Sequence, residues 1–174
     1  GRSERVVGEA IREADVDREA VVVGSRAGIV PFDGERPSDP GAYVRERYVE
    51  PGLIPRDELA RGSHSLAPAF LDATPDRSLA ALGVERIDWY EIERPELQLA
   101  VRDREAVYDR LEAAFERLER RRTAGDVGRY GLSTWDAFRV EPDHERHLSL
   151  PAVLERARAA AVSRGREPDE HGLG

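Results

Sequence analysis

The sequence predicts an α/β domain in which parallel strands alternate with helices. Three short apolar runs, at 20–28, 86–93 and 127–132, have the length and composition of buried strands. Segments with helical periodicity precede, separate and follow them. The order helix, strand, helix, strand, helix, strand, helix implies a parallel sheet with right-handed crossovers. Charge placement adds a third observation. The first two runs close on Arg26 and Glu93, and the exit of an apolar strand is where α/β barrels place chemistry. Periodicity alone leaves two architectures open, part of a (β/α)8 barrel or an open doubly wound sheet.

The elements follow in order. Ser3 is a good N-cap and Glu4 suits a first turn. Val6, Val7, Ala10 and Ile11 then share one helical face, a pattern that stops over 15–18. Residues 20–24 are apolar and β-branched, the mark of a buried strand. The stretch 29–66 is rich in proline and glycine and too long for a plain loop, so short helices are expected within it. Asp39 before Pro40 marks one start, Pro51 stops it, and 55–60 begins another. Phe70, Ala73, Leu79 and Leu82 predict a helix capped by Gly83, with a break or fresh start at Pro75. The second strand covers 86–92. Over 104–123 Val107, Leu111, Ala114, Phe115 and Leu118 line one face of a helix that Gly125 ends. A third strand at 127–132 runs into Ser133, Thr134 and Trp135. Ser149 and Pro151 open a last helix through Ala161.

Composition excludes several functions. Of the 174 residues 40% are hydrophobic and 36% charged, which suits a globular core under a heavily charged surface. The formal net charge of -8 disfavours nonspecific binding to nucleic acid or anionic membrane. Cysteine is absent, which removes disulfides, thiolate catalysis and thiolate-bound zinc. There is no apolar run of about 18 residues to span a membrane and no signal peptide, so a cytoplasmic protein is expected. His144, His147 and His171 lack metal-ligand spacing, so no metal site is expected. The glycines around Arg26 do not form a phosphate-binding Gly-x-Gly-x-x-Gly.

Four segments carry a resemblance, in order along the chain. Gly1-Arg2-Ser3-Glu4 resembles the stretch that follows a catalytic tyrosine in the aldo-keto reductase family. Residues 22–28 resemble the strand that ends in that family's catalytic lysine. Ser78-Leu79-Ala80-Ala81-Leu82-Gly83 with Asp88 and Tyr90 resembles Ser-Leu-x-x-Leu-Gly-x-x-x-x-Asp-x-Tyr. Gly125 to Ser133 resembles a Gly-Lys-x-x-x-x-Gly-x-Ser strand. The long 29–66 insertion, with Gly62-Ser63-His64, is similar to a bacterial and archaeal branch. The resemblance implies a partial (β/α)8 TIM barrel, about strands 3 to 5. It implies NADP(H) as cofactor in the complete barrel and a small-molecule carbonyl or enone as substrate. On that reading 1–174 is one domain, incomplete at both ends. The open barrel edges would then make the segment unstable or self-associating.

The resemblance also assigns roles. Arg26 stands at the tetrad's lysine position and Glu93 at its histidine position, since Tyr90-Glu91-Ile92-Glu93-Arg94-Pro95-Glu96 parallels Tyr-Tyr-Leu-His-Asn-Pro-Glu. The tetrad's Asp and Tyr positions fall before Gly1. Ser133 matches the serine on the nicotinamide carboxamide, and Thr134 takes the neighbouring asparagine's place. The family's tyrosine is the general acid, with its pKa lowered by the lysine. Two readings of Arg26 and Glu93 stand side by side. In one they pair and leave neither charge free. In the other Glu93, protonated, donates to an enone oxygen. The same choice, between an active reductase and an inactive relative that binds or scaffolds, applies to the chain. Ser133 and Thr134 are cofactor contacts or strand-end caps. Trp135 reads as packing, His64 as a loop-fixing side chain, and Arg120, Arg121 and Arg122 as a solvated helix end.

Overall fold

A computed structural model describes residues 1–174. Three strands, β1 (Gly24–Ala27), β2 (Ile87–Glu93) and β3 (Val127–Ser133), form a parallel sheet in the order β1-β2-β3. Five helices accompany them: α1 (Arg2–Glu13), α2 (Pro40–Val44), α3 (Pro68–Leu82), α4 (Arg104–Ala124) and α5 (Leu150–Val162). Helices α1, α3, α4 and α5 pack side by side in that order. Side chains from β1 and β3 reach that layer: Ser25 Oγ donates to Glu4 of α1 at 2.6 Å, and the Tyr130 ring stacks on Phe115 of α4 at 5.2 Å. One helical layer over one face of a parallel sheet is the architecture of part of a (β/α)8 barrel, and it rules out the doubly wound alternative.

Most elements lie where periodicity puts them. The predicted stripe of α4 is buried in full, and Gly125 ends the helix at φ 89°. Gly83 does the same for α3 at φ 67°. Asp39 and Ser149 cap α2 and α5 by accepting from the Ala42 and Ala152 amides. The 29–66 excursion holds α2, a continuing π-helical turn at Arg45–Val49 and a 3-10 turn at Arg56–Glu58. Its ends zip beside the exit of β1, where Ser65 N donates to Gly28 O at 2.9 Å and Val30 N to Ser63 O at 2.8 Å. Tyr48 and Phe70 pack edge to face, with ring centroids 5.8 Å apart, and fix its middle to α3.

Five expectations need correction. In α1 the N-cap is Gly1, not Ser3, and Val6 and Val7 are exposed while Gly8 is buried. A Cβ on Gly8 would lie 2.1 Å from the Leu82 carbonyl oxygen, so the helix docks through its bare glycine. Strand β1 starts at Gly24, after the 20–24 run. Val23 N donates to Asp88 Oδ2, and Val23 O accepts from the Asp88 and Trp89 amides. The valines are thus a tethered lead-in, and Val22 is 82% exposed. Pro75 does not break α3, because Phe70, Leu71, Thr74 and Ser78 bury around it and packing outweighs one lost backbone bond. Arg121 and Arg122 are not solvated: Arg121 forks onto Asp76 and also reaches Asp126, and Arg122 donates to buried Glu119. Trp135 is 69% exposed, not packed, since the loop after β3 turns it outward.

Candidate active site

Alternation along a strand sends successive side chains to opposite faces. Tyr90 and Ile92 of β2 are buried. Trp89, Glu91 and Glu93 fall on the other face, away from the helices. Register carries this face across the sheet: Arg26 pairs with Glu91, Glu91 with Gly131, and Glu93 with Ser133. Arg26, Glu93 and Ser133 therefore meet at one rim, where all three strands end. A cavity of about 660 Å³ opens on it, lined by Arg26, Trp89, Glu91, Glu93, Gly24 and Phe32.

Arg26 Nε lies 3.3 Å from Glu93 Oε2, with the Arg26 side chain 62% exposed and that of Glu93 19%. The contact is a single point, and the terminal nitrogens of Arg26 have no hydrogen-bond partner. Such a half-exposed pair contributes roughly 0–1 kcal/mol. Glu91 was not singled out from the sequence. Its Oε1 accepts from Trp89 Nε1 at 3.0 Å, and it lies one rung below Glu93 on the same face. The two-residue spacing from Glu93 was the signal for it. Arg129, opposite Trp89 in register, completes this polar inner face.

Ser133 and Thr134 separate in role. Thr134 Oγ1 accepts from the Ala137 amide at 3.1 Å, so it caps the turn after β3. The Ser133 hydroxyl has no hydrogen-bond partner within the chain and faces the rim beside Glu93.

His64 fixes the rim from behind. Its ring is fully buried; Nδ1 accepts from Gln98 Nε2 at 2.9 Å, so Nε2 carries the proton and donates to Glu93 O at 2.8 Å. Gly28 lets it approach, because a Cβ there would stand 2.6 Å from Glu93 O and 3.1 Å from His64 Nε2. Burial lowers the His64 pKa to about 4, outweighing its backbone bond to Glu93. In the unfolded chain a histidine titrates near ~6.5. Between those values the unfolded state binds the extra proton, so stability is full above about pH 6.5 and falls as pH drops towards 4, by about 3 kcal/mol. Urea unfolding from pH 7.5 to 4.5 should show this loss in the wild type and a flatter profile in His64→Gln. Equal slopes in the two proteins would refute the assignment.

No cluster of three or more His, Asp or Glu side chains has metal-holding geometry. No helix is long and apolar enough to cross a membrane.

The family model described as Aldo/keto reductase family matches residues 1–167. Among solved structures, aldo-keto reductase AKR11C1 from Bacillus halodurans (holo form) is similar at 17% identity, with a TM-score of 0.47 over 75% of this chain and 32% of that one. The chain thus spans about a third of that relative's length. No curated protein matches it. The family match extends through all three strands and on past α5, and this chain belongs to the aldo/keto reductase family.

Proposed function

We propose that the chain supplies the strand-three-to-five part of an NADP(H)-dependent reductase of carbonyls or enones. The observation that carries this reading is the meeting of Arg26, Glu93 and Ser133 at one rim of the sheet. Ser133 fits the cofactor's carboxamide, because its hydroxyl is unused and can both donate and accept. Thr134 has less capacity for such a contact, since one lone pair of its oxygen already accepts from Ala137 N while its proton and second lone pair remain. When bound, the cofactor supplies hydride. Arg26 presents two unpaired guanidinium nitrogens to the cavity, a fixed positive charge where negative charge develops on the substrate oxygen. Glu93, largely buried and backed by His64 through its own carbonyl, is held in place to meet that oxygen, and in its protonated form it donates a hydrogen bond.

A second reading, an inactive relative that binds or scaffolds, is favoured by the Arg26–Glu93 contact itself, since paired charges are not free for chemistry. The weakness of a single half-exposed contact favours the reductase.

The test uses the complete polypeptide that carries this segment. NADPH should quench the emission of its tryptophans, and carbonyl or enone substrates should drive NADPH oxidation. Glu93→Ala should cut turnover about 100-fold or more while NADPH still binds. Absence of NADPH binding, or a Glu93→Ala variant of unchanged turnover, overturns the proposal.

A further inference from the structure

Glu96 is a buried acid that the chain leaves unmet. It sits in the 3-10 turn Pro95–Ala100 after β2, is 1% exposed, and neither carboxylate oxygen has a hydrogen-bond partner. The other two buried acids are both met by arginines: Glu58 by Arg102 and Arg110, Glu119 by Arg122. Arg94 Nε stands 3.8 Å from Glu96 Oε1, too far to donate, and has no hydrogen-bond partner of its own. Arg94 thus offsets part of the charge through space and leaves the carboxylate lone pairs empty. Buried acceptors in native proteins are met by donors, so an orphan of this kind points to an occupant.

Glu96 forms part of the wall of a cavity of about 230 Å³, with Arg61, Leu97, Leu99, Glu145 and Arg146. A single water needs only about 10–15 Å³. The walls come from the 29–66 excursion, the turn after β2 and the loop after β3, so no sheet edge contributes. Arg61 is exposed and makes no ion pair, whereas Arg146 is held by Asp136 at 2.7 Å. Formal charges around the cavity cancel, with Arg61 and Arg146 against Glu96 and Glu145. One cavity therefore brings together an acceptor without donors, a cation without a carboxylate, and two leucines.

We propose that this cavity binds a free α-amino acid. The ammonium group donates to the Glu96 oxygens, the carboxylate meets Arg61, and the side chain lies against Leu97 and Leu99. The exposed Arg61 and Glu145 side chains can swing to admit it. A bare cation would bring donors but face Arg94 and Arg146 uncompensated. An anion would bring no donor to Glu96. A quaternary ammonium zwitterion has the right charges but no N–H. This inference does not rest on the reductase reading.

Ligand-observed NMR with L-alanine on the complete polypeptide tests it. The dissociation constant should be on the order of 1 mM or tighter. Ethylammonium, propionate and glycine betaine should each bind about tenfold more weakly or worse, since each lacks one of the required ends. Glu96→Gln and Arg61→Ala should each weaken L-alanine about tenfold or more. Arg61 is exposed, so its variant decides the matter if Glu96→Gln fails to fold. Arg164→Ala removes an exposed arginine far along the chain and should bind as the wild type does. Absence of L-alanine binding at 50-fold the expected constant overturns the proposal. So does a control ligand that binds as tightly, or binding that Arg61→Ala or a folded Glu96→Gln leaves unchanged.

Discussion

Replacing Glu119 with alanine is expected to destabilise the protein by about 3–5 kcal/mol, the cost of removing one partner from a buried charged network. Glu119 is fully buried on α4. Its Oε1 accepts from Tyr130 Oη at 2.8 Å and from Gly172 N at 2.6 Å, while Oε2 takes Arg122 at 2.7 Å. Arg166 approaches the same oxygen at 3.6 Å. One side chain thus ties α4 to β3, to the C-terminal strand residues and to two arginines. Alanine leaves a buried hydroxyl and a buried amide without their acceptor, each costing on the order of 1–3 kcal/mol, and strips Arg122 of its carboxylate, leaving it the Gly128 and Glu170 carbonyls. For a chain of this size the melting temperature should fall on the order of 10 °C. Hydrogen exchange at Gly172 should rise first, since its amide bonds Glu119 directly. A loss below about 1 kcal/mol, with Gly172 still protected, would show that the network contributes little.

Gly28→Ala carries the second large effect. Gly28 sits at φ 113°, in the region that L side chains rarely adopt, which costs roughly 1–3 kcal/mol. The added Cβ would also stand 2.6 Å from a backbone oxygen of the neighbouring strand end, Glu93 O. Backbone there cannot swing aside like a flexible side chain, so overpacking adds roughly 1–3 kcal/mol. The sum is on the order of 4 kcal/mol. The wedge falls between β1 and β2 where His64 Nε2 bonds Glu93 O, so Arg26 and Glu93 should separate. Denaturant unfolding measures the loss. His64 should report the wedge, its pKa rising from about 4 towards the ordinary value as the ring gains water. A stable Gly28→Ala protein with an unshifted His64 would mean that the strands close up without glycine.

Particular elements show what was legible. Helix α4 was readable because its apolar stripe and Gly125 agree, and Asp103 caps its start by accepting from the Ala106 amide. Arg26 and Glu93 were readable as a pair because each closes an apolar run. Glu91 was within reach through its spacing from Glu93. Glu119 was not: a glutamate in a helix full of charges looks solvated until the strand behind it and the returning C-terminal segment are in place. The buried face of α1 misled for the opposite reason. Periodicity weights large apolar residues, whereas the contact is made by a glycine whose value is the absence of a side chain. Thr134 and Ser133 were indistinguishable in one dimension, because which hydroxyl is already occupied depends on the turn that follows.

By itself the sequence determined the alternation of helices and strands, the family and the charged residues at two strand exits. These rest on local periodicity, caps and collinear motifs, all properties of neighbours along the chain. Only the tertiary structure decided that the helices lie on one face of the sheet and that Arg26 meets Glu93 at a single point. It also decided that His64 is neutral and holds the rim, and that the C-terminal residues return to lie along β3. Each of these depends on contacts between residues far apart in sequence, and on burial, which removes water from a side chain and so fixes its charge and its partners.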